Sequence, residues 1–169
     1  DKIWGSFYMY FICEIPVMDS LLQSSVFHGN TCGFLSFNGI FYPIIAVFKT
    51  FGLPEPKMYT YTQTIRRFLE ENWVFISDYG HNVNSFMPAG AFLYIDGGYI
   101  FEICGMLFSG MLCQKKFIDV EEKPNKRNFA VMIIILIAVF LSFFRFYPTS
   151  YQFVLAFVYT RFGLYKTRY

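Results

Sequence analysis

The sequence predicts an all-α membrane protein: a polytopic helical bundle with an outward-facing polar loop and re-entrant or interfacial helices. Three observations predict it. Of 169 residues, 55% are apolar and 22% aromatic while 15% are charged, more apolar and less charged than ordinary soluble domains. Residues 129–144, "FAVMIIILIAVFLSFF", carry no charge and with Arg145–Tyr147 approach the roughly 20 residues that cross a bilayer. Basic residues collect in short stretches beside the oily segments, as they do on the cytoplasmic side of a membrane. The chain begins at Asp1 and shows no basic start, short apolar core and small-residue cleavage site in series. That predicts a piece of a longer protein with further spans before it.

Taken in order, residues 3–22 and 34–53 are oily but interrupted, the first by Glu14, Pro16 and Asp19 and the second by Asn38, Pro43 and Lys49. Neither spans cleanly, so both read as interfacial or re-entrant pieces whose backbone groups are satisfied by protein or water. The abundant Tyr and Phe suit a headgroup-level aromatic belt. The polar loop 54–90 follows, with a short helix expected over Gln63–Glu71 and a β-leaning stretch over Trp73–Ser77. Together, residues 1–96 form an extracytoplasmic or interfacial region. Residues 97–114 read as a transmembrane helix containing one acid, Glu102. Residues 115–128, "KKFIDVEEKPNKRN", carry Lys115, Lys116, Lys123, Lys126 and Arg127 and read as a cytoplasmic loop. A second span covers 129–147 and a third, containing Arg161, covers 148–165, leaving 166–169 as a cytoplasmic tail. Arg161 is expected to snorkel to the interface. This topology places everything before about Asp96 on the outer side.

Composition also limits the partners. A net charge of +2 with no basic stripe interleaved with aromatics gives no sign of nucleic acid. The four cysteines, 13, 32, 104 and 113, form no CxxC pair, and His28 and His81 are far apart in sequence. No zinc or haem site is signalled, so no metal ligand is assigned, although acidic oxygens remain open to Mg²⁺ or Ca²⁺. Cys13 and Cys32 would share an oxidising compartment, where a disulfide between them is one expectation.

Several residues carry two readings. Asp96 precedes Gly97 and Gly98, a turn signal, and then a helical run. It reads as an N-cap of that helix or as a general base for a sugar hydroxyl. Arg66 and Arg67 either form a solvated face with Glu70 and Glu71 at helical spacing or grip a phosphate bidentately. His81, Asn82 and Asn84 either satisfy turn backbone or hydrogen-bond a sugar, with His81 moving a proton. Glu102 and Arg145 lie at similar expected depth near the outer ends of neighbouring spans. They read as an ion pair, or Arg145 as a phosphate ligand.

With that order of polar cluster, acid, glycines and span in view, "HNVNSFMPAGAFLYIDGGYIFEICGMLFSGMLCQ" (81–114) resembles the late signature of bacterial oligosaccharide repeat-unit polymerases, the O-antigen and capsule polymerase group. Asn82, Asn84, Ser85, Phe86, Tyr94, Asp96 and Gly97 occupy its places. "YMYFICEIPVMDSLL" (8–22) is similar to the family's Tyr-rich, Pro-containing stretch, and "GNTCGFLSFNGIFYPI" (29–44) to its Gly- and aromatic-rich segment. The sequence departs from the family in reading Asp-Gly-Gly where Asp-Phe-Gly is usual.

The resemblance implies a multi-pass glycosyltransferase of the bacterial inner membrane that polymerises lipid-pyrophosphate-linked repeats into surface polysaccharide on the outer face. Its partners would be the polyprenyl-pyrophosphate-linked oligosaccharide, membrane lipid, and the flippase and chain-length regulator of the same pathway. Asp96 or His81 would take the acceptor proton. Arg66, Arg67 or Arg145 would neutralise the departing pyrophosphate, with Asn82 and Asn84 on the sugar. No cofactor is required, because the lipid pyrophosphate is already activated. Rival readings are a multispan transporter or lipid-linked-oligosaccharide flippase, with Glu102, Arg145 and Arg161 lining a pathway, and a non-catalytic membrane subunit.

Overall fold

A computed structural model describes residues 14–71, 74–75, 82–83, 87–142 and 146–163. Helices dominate: α1 (Glu14–Gln23), α2 (Asn38–Thr50), α3 (Lys57–Glu71), α4 (Ala89–Glu122), α5 (Lys126–Leu141) and α6 (Tyr151–Val158). A 3-10 turn at Tyr147–Thr149 precedes α6, and a π turn at Tyr159–Gly163 extends it. The strand-like exception is a two-residue antiparallel pair, β1 (Val74–Phe75) with β2 (Asn82–Val83), in which Val74 faces Val83 and Phe75 faces Asn82.

One conventional core lies among α1, α3, the 31–37 loop and the start of α4. Val17 and Leu21 from α1, Leu35, Ile65 and Leu69 from α3, Met87 and Ile95 form it. On α3 the buried residues Tyr59, Thr62, Ile65 and Leu69 recur at helical spacing and define its inner stripe. The helix starts directly after Pro54-Glu55-Pro56, earlier than Gln63, because two prolines close together hold the chain extended and release it into a helix at Lys57. Tyr61 fastens the preceding loop to α3: its hydroxyl accepts from the His28 N–H at 2.8 Å and donates to the Gly29 carbonyl at 2.9 Å.

The remaining helices are apolar and exposed. Residues Ile100, Leu107, Ile137 and Phe140 are more than half exposed, and comparable side chains run along α2 and α6. The long part of α4 packs on α5, the π turn packs on α5, and α6 packs on α2. Gly39 makes the α2 junction possible, since a Cβ there would stand 2.5 Å from the Pro148 carbonyl oxygen and 2.6 Å from that of Ser150. Tyr42 and Tyr151 stack across the same seam with centroids 5.3 Å apart.

Several predicted boundaries change. The span expected at 97–114 is part of a longer element that starts at Ala89 and runs to Glu122, interrupted by non-helical backbone at Gly97 and Gly98. Gly98 has φ 69° and ψ −163°, a region essentially closed to side-chain-bearing residues. The chain folds back there. A Cβ on Gly105 would meet Leu93 at 2.8 Å, and the Ala89 N–H reaches the Ser142 carbonyl at 3.0 Å, at the far end of α5.

The loop expected at 115–128 shrinks to Lys123–Asn125, because α4 continues through the Lys116–Asp119 pair and Asn125 caps α5 by accepting from the Asn128 N–H at 2.8 Å. The α4 helix is long and apolar enough to cross a membrane. The second and third spans are not shown among the described residues. At 1.5 Å per residue, the sixteen residues of α5 and eight of α6 reach about 24 and 12 Å, short of the roughly 30 Å hydrocarbon layer.

Candidate functional site

The 31–38 loop turns sharply. Cys32 has φ 52° and Gly33 φ 88°, and successive residues of this kind aim backbone N–H groups into one concavity. The concavity is filled by the carboxylate of Asp96, which is 1% exposed. One oxygen, Oδ1, accepts from the Thr31 hydroxyl, the Gly33 N–H at 2.9 Å and the Leu35 N–H at 3.1 Å; Oδ2 accepts from the Ser36 N–H at 2.8 Å. Backbone bonds seal the contact, with Thr31 N–H on the Ile95 carbonyl at 3.2 Å and Cys32 N–H on the Asp96 carbonyl at 2.9 Å. A buried carboxylate is tolerated when donors replace its water, and here four donors do so. The Ser36 hydroxyl, next in chain to these donors, is buried without a hydrogen-bond partner.

The helix-cap expectation for Asp96 is therefore corrected. All four side-chain bonds go to residues 31–36, across sixty or more positions of sequence, and none goes to the helix that follows. The reason is the fold-back at Gly97-Gly98, which turns the carboxylate toward the loop. So placed, Asp96 fixes the entry to α2 and has no open side from which to reach a substrate hydroxyl.

A second buried polar link follows. Asn38, 2% exposed, accepts from Gln63 Nε2 of α3 at 2.8 Å and donates to the Thr149 carbonyl at 3.2 Å. It ties the core region to the turn before α6. The sequence assigns Thr31 no role, reads Asn38 only as an interruption and Gln63 only as a helix start; the signal available was the polar Thr-Cys-Gly and Ser-Phe-Asn-Gly punctuation inside an oily stretch.

Arg66 and Arg67 lie on α3, Arg66 half-buried at the edge of its buried stripe and Arg67 on the opposite, exposed side. Arg66 Nε meets Glu70 Oε1 at 2.7 Å, and Arg67 Nε meets Glu71 Oε1 at 3.8 Å. The Arg67 side chain is 75% exposed. Asn82 is paired through its backbone to Phe75, so the chain returns beside the segment that leaves α3. His81, Asn84 and Arg145 lie outside the described residues, and with Arg145 the expected pair to Glu102. Glu102 is half-buried against the start of α4, where a Cβ on Gly90 would stand 2.9 Å from Glu102 Oε1. Cys32 is a free thiol; Cys13, its expected partner, lies outside the described residues. No group of three or more His, Cys, Asp or Glu among the described residues is placed to hold a metal ion.

Around the tip of the α2–α3 connection, Lys49 pairs with Glu55. That hydrogen bond and the charge of Glu55 raise the Lys49 ammonium above its ordinary pKa. Burial raises the Tyr59 phenol, with the Glu55 charge adding to it. No protein-family model, curated protein or solved structure matches the chain.

Proposed function

We propose that this chain is part of a polytopic glycosyltransferase of the bacterial inner membrane that joins lipid-pyrophosphate-linked oligosaccharide repeats on the outer face. The observation that carries the proposal is a convergence. Of the three stretches that bear the polymerase resemblance, 81–114 lies far in sequence from the neighbouring 8–22 and 29–44, yet Val17, Leu21, Leu35 and Ile95 share one core. The Asp96 carboxylate of the third stretch is held by the turn of the second. The exposed apolar faces of α4, α5, α2 and α6 support a lipid surround, since soluble monomers rarely expose contiguous patches of this extent.

In this reading Asp96 is a positioning residue rather than the base. It locks the 31–38 turn and so orients the start of α4 and the segment preceding it. His81 takes the acceptor proton, and Asn82 and Asn84 hydrogen-bond the sugar. Arg67, exposed on α3, Arg66 beside it, and Arg145 neutralise the pyrophosphate that leaves.

The test is the size distribution of lipid-linked and surface glycan in a deletion strain complemented with the full-length gene. Wild type is compared with His81→Ala and with the Arg66→Ala/Arg67→Ala double variant, at matched membrane levels. Long polymer collapsing to single repeats on the outer face is the expected result. Unchanged polymer in both variants defeats the assignment of these residues. Repeats retained on the inner face in the deletion strain favour the flippase reading instead.

A further inference from the structure

The last turn of α2 and its connection to α3, "VFKTFGLPEP" (47–56), combine exposed apolar side chains with polar groups that bond within the same stretch. Val47, Phe48, Phe51 and Leu53 are all exposed, Phe51 by 76%, and no other element among the described residues covers them. A loop in water has the opposite pattern. The backbone N–H groups of Phe51, Gly52 and Leu53 at the tip bond within the chain. Gly52, at φ 71°, closes α2 in a Schellman arrangement: the Leu53 N–H returns to the Phe48 carbonyl at 3.0 Å and the Gly52 N–H to the Lys49 carbonyl at 3.0 Å.

The Phe51 N–H is shared between the Val47 and Phe48 carbonyls, and the Thr50 hydroxyl donates to Val47 at 2.7 Å. Pro54 and Pro56 bring no N–H at all. The two charged side chains, Lys49 and Glu55, neutralise one another. Internal partners for the N–H groups of Phe51, Gly52 and Leu53 reduce what these donors need from water, as suits an apolar surround.

We propose that this tip is inserted into the acyl region of a phospholipid monolayer, with Phe51 and Leu53 deepest and the Lys49–Glu55 pair at headgroup level. The occupant of the apolar surface is lipid, for two reasons. The patch is continuous through Ile44 and Ile40 with the exposed side of α2 and, across the Tyr42–Tyr151 stack, with Leu155 and Val158 of α6. Within residues 47–56 the charged side chains, Lys49 and Glu55, also pair with each other and leave no free charge there to specify a protein partner. Lys49 reaches the headgroups along its aliphatic stem, and partial insertion of an apolar face into the boundary layer is ordinary behaviour for such segments. Meanwhile α3 turns Thr64 and Arg67 to the aqueous side. The insertion does not depend on the reaction the protein catalyses.

Fluorescence quenching tests it in the full chain, reconstituted in phosphatidylcholine vesicles with or without bromine on the acyl chains. In a background where Trp4 and Trp73 are replaced by Phe, single tryptophans are introduced as Phe51→Trp at the tip, Thr64→Trp on the polar side of α3 and Phe108→Trp on α4. Brominated lipid should remove most of the emission of the Phe51→Trp and Phe108→Trp proteins and leave that of Thr64→Trp nearly unchanged. Quenching at position 108 without quenching at 51 overturns the insertion while leaving α4 in the membrane. No quenching at 108 overturns the insertion together with the membrane frame on which it and the proposed function rest. A Phe51→Tyr control, expected to express like wild type, shows whether the tip tolerates substitution.

Discussion

Asp96 shows how a single side chain can decide the role of a motif. A carboxylate before two glycines reads as a cap or a base, and both readings assume that it faces the helix after it or the solvent. The buried cage of Thr31, Gly33, Leu35 and Ser36 instead makes it the anchor of a turn. Asp96→Asn keeps the shape but removes the charge and sets an NH₂ against backbone donors. With hydrogen bonds to charged groups contributing about 1.5–3 kcal/mol each, a loss of about 3 kcal/mol is expected, read as a lowered unfolding midpoint in detergent. Thr31→Val, which removes one donor, should cost about 1–2 kcal/mol in the same measurement. A larger effect from Thr31→Val than from Asp96→Asn would contradict this hierarchy.

At the scale of elements, the fold-back of α4 and the α2–α3 connection are the informative pieces. Gly98→Ala must force φ 69°, ψ −163° on a residue with a Cβ, and costs of about 1–3 kcal/mol attach to such conformations. Its Cβ would meet nothing within 4 Å, so the expected loss comes from the backbone alone, and a Gly98→Ala protein as stable as wild type would mean that the fold-back is absent. The α2–α3 connection carries a pH dependence. Lys49 has its pKa raised by Glu55, so the stability of that pair is present below the ordinary lysine range and disappears as pH climbs through the raised value. The Tyr59 pKa is raised as well, so the folded state resists a phenolate that the unfolded chain accepts, and stability falls as pH rises above the ordinary tyrosine value. Both act in one direction, and unfolding midpoints should decline from about pH 10 upward. In Lys49→Met/Tyr59→Phe that decline should be shallower.

Across the molecule, two regions of different character are joined through buried polar bonds among the described residues. One has a conventional core between α1, α3 and the start of α4. The other is the exposed apolar group formed by the rest of α4 with α5, α6 and α2. Asn38 bridges them through Gln63 and the Thr149 carbonyl, and Gly39 lets the backbones approach. Residues in one buried network couple by about 0.5–3 kcal/mol, so a double-mutant cycle on Asn38→Ala and Gln63→Ala should depart from additivity by about 1 kcal/mol. Gly39→Ala should separate α2 from the 147–150 turn, with an overpacking cost of about 1–3 kcal/mol.

The sequence by itself determined the helical class and the apolar character, because composition is a local property. It also located the Arg66–Glu70 and Arg67–Glu71 spacing, since an i,i+4 relation is fixed by helix geometry alone. The uncharged run 129–144 forms a helix too short to span alone, and the helix long enough to cross a membrane is the one containing Glu102. Tertiary structure decided where α4 folds back, because only a residue free to adopt positive φ with an extended ψ reveals that, and the letters Gly-Gly fit a cap equally well. It decided the partners of Asp96, sixty or more residues away, and the role of Asn38, an apparent interruption in an oily segment that is a buried bridge. Long-range pairing of polar groups leaves no periodicity in a sequence, because the partners meet through the packing of elements whose order along the chain says nothing of their distance in space.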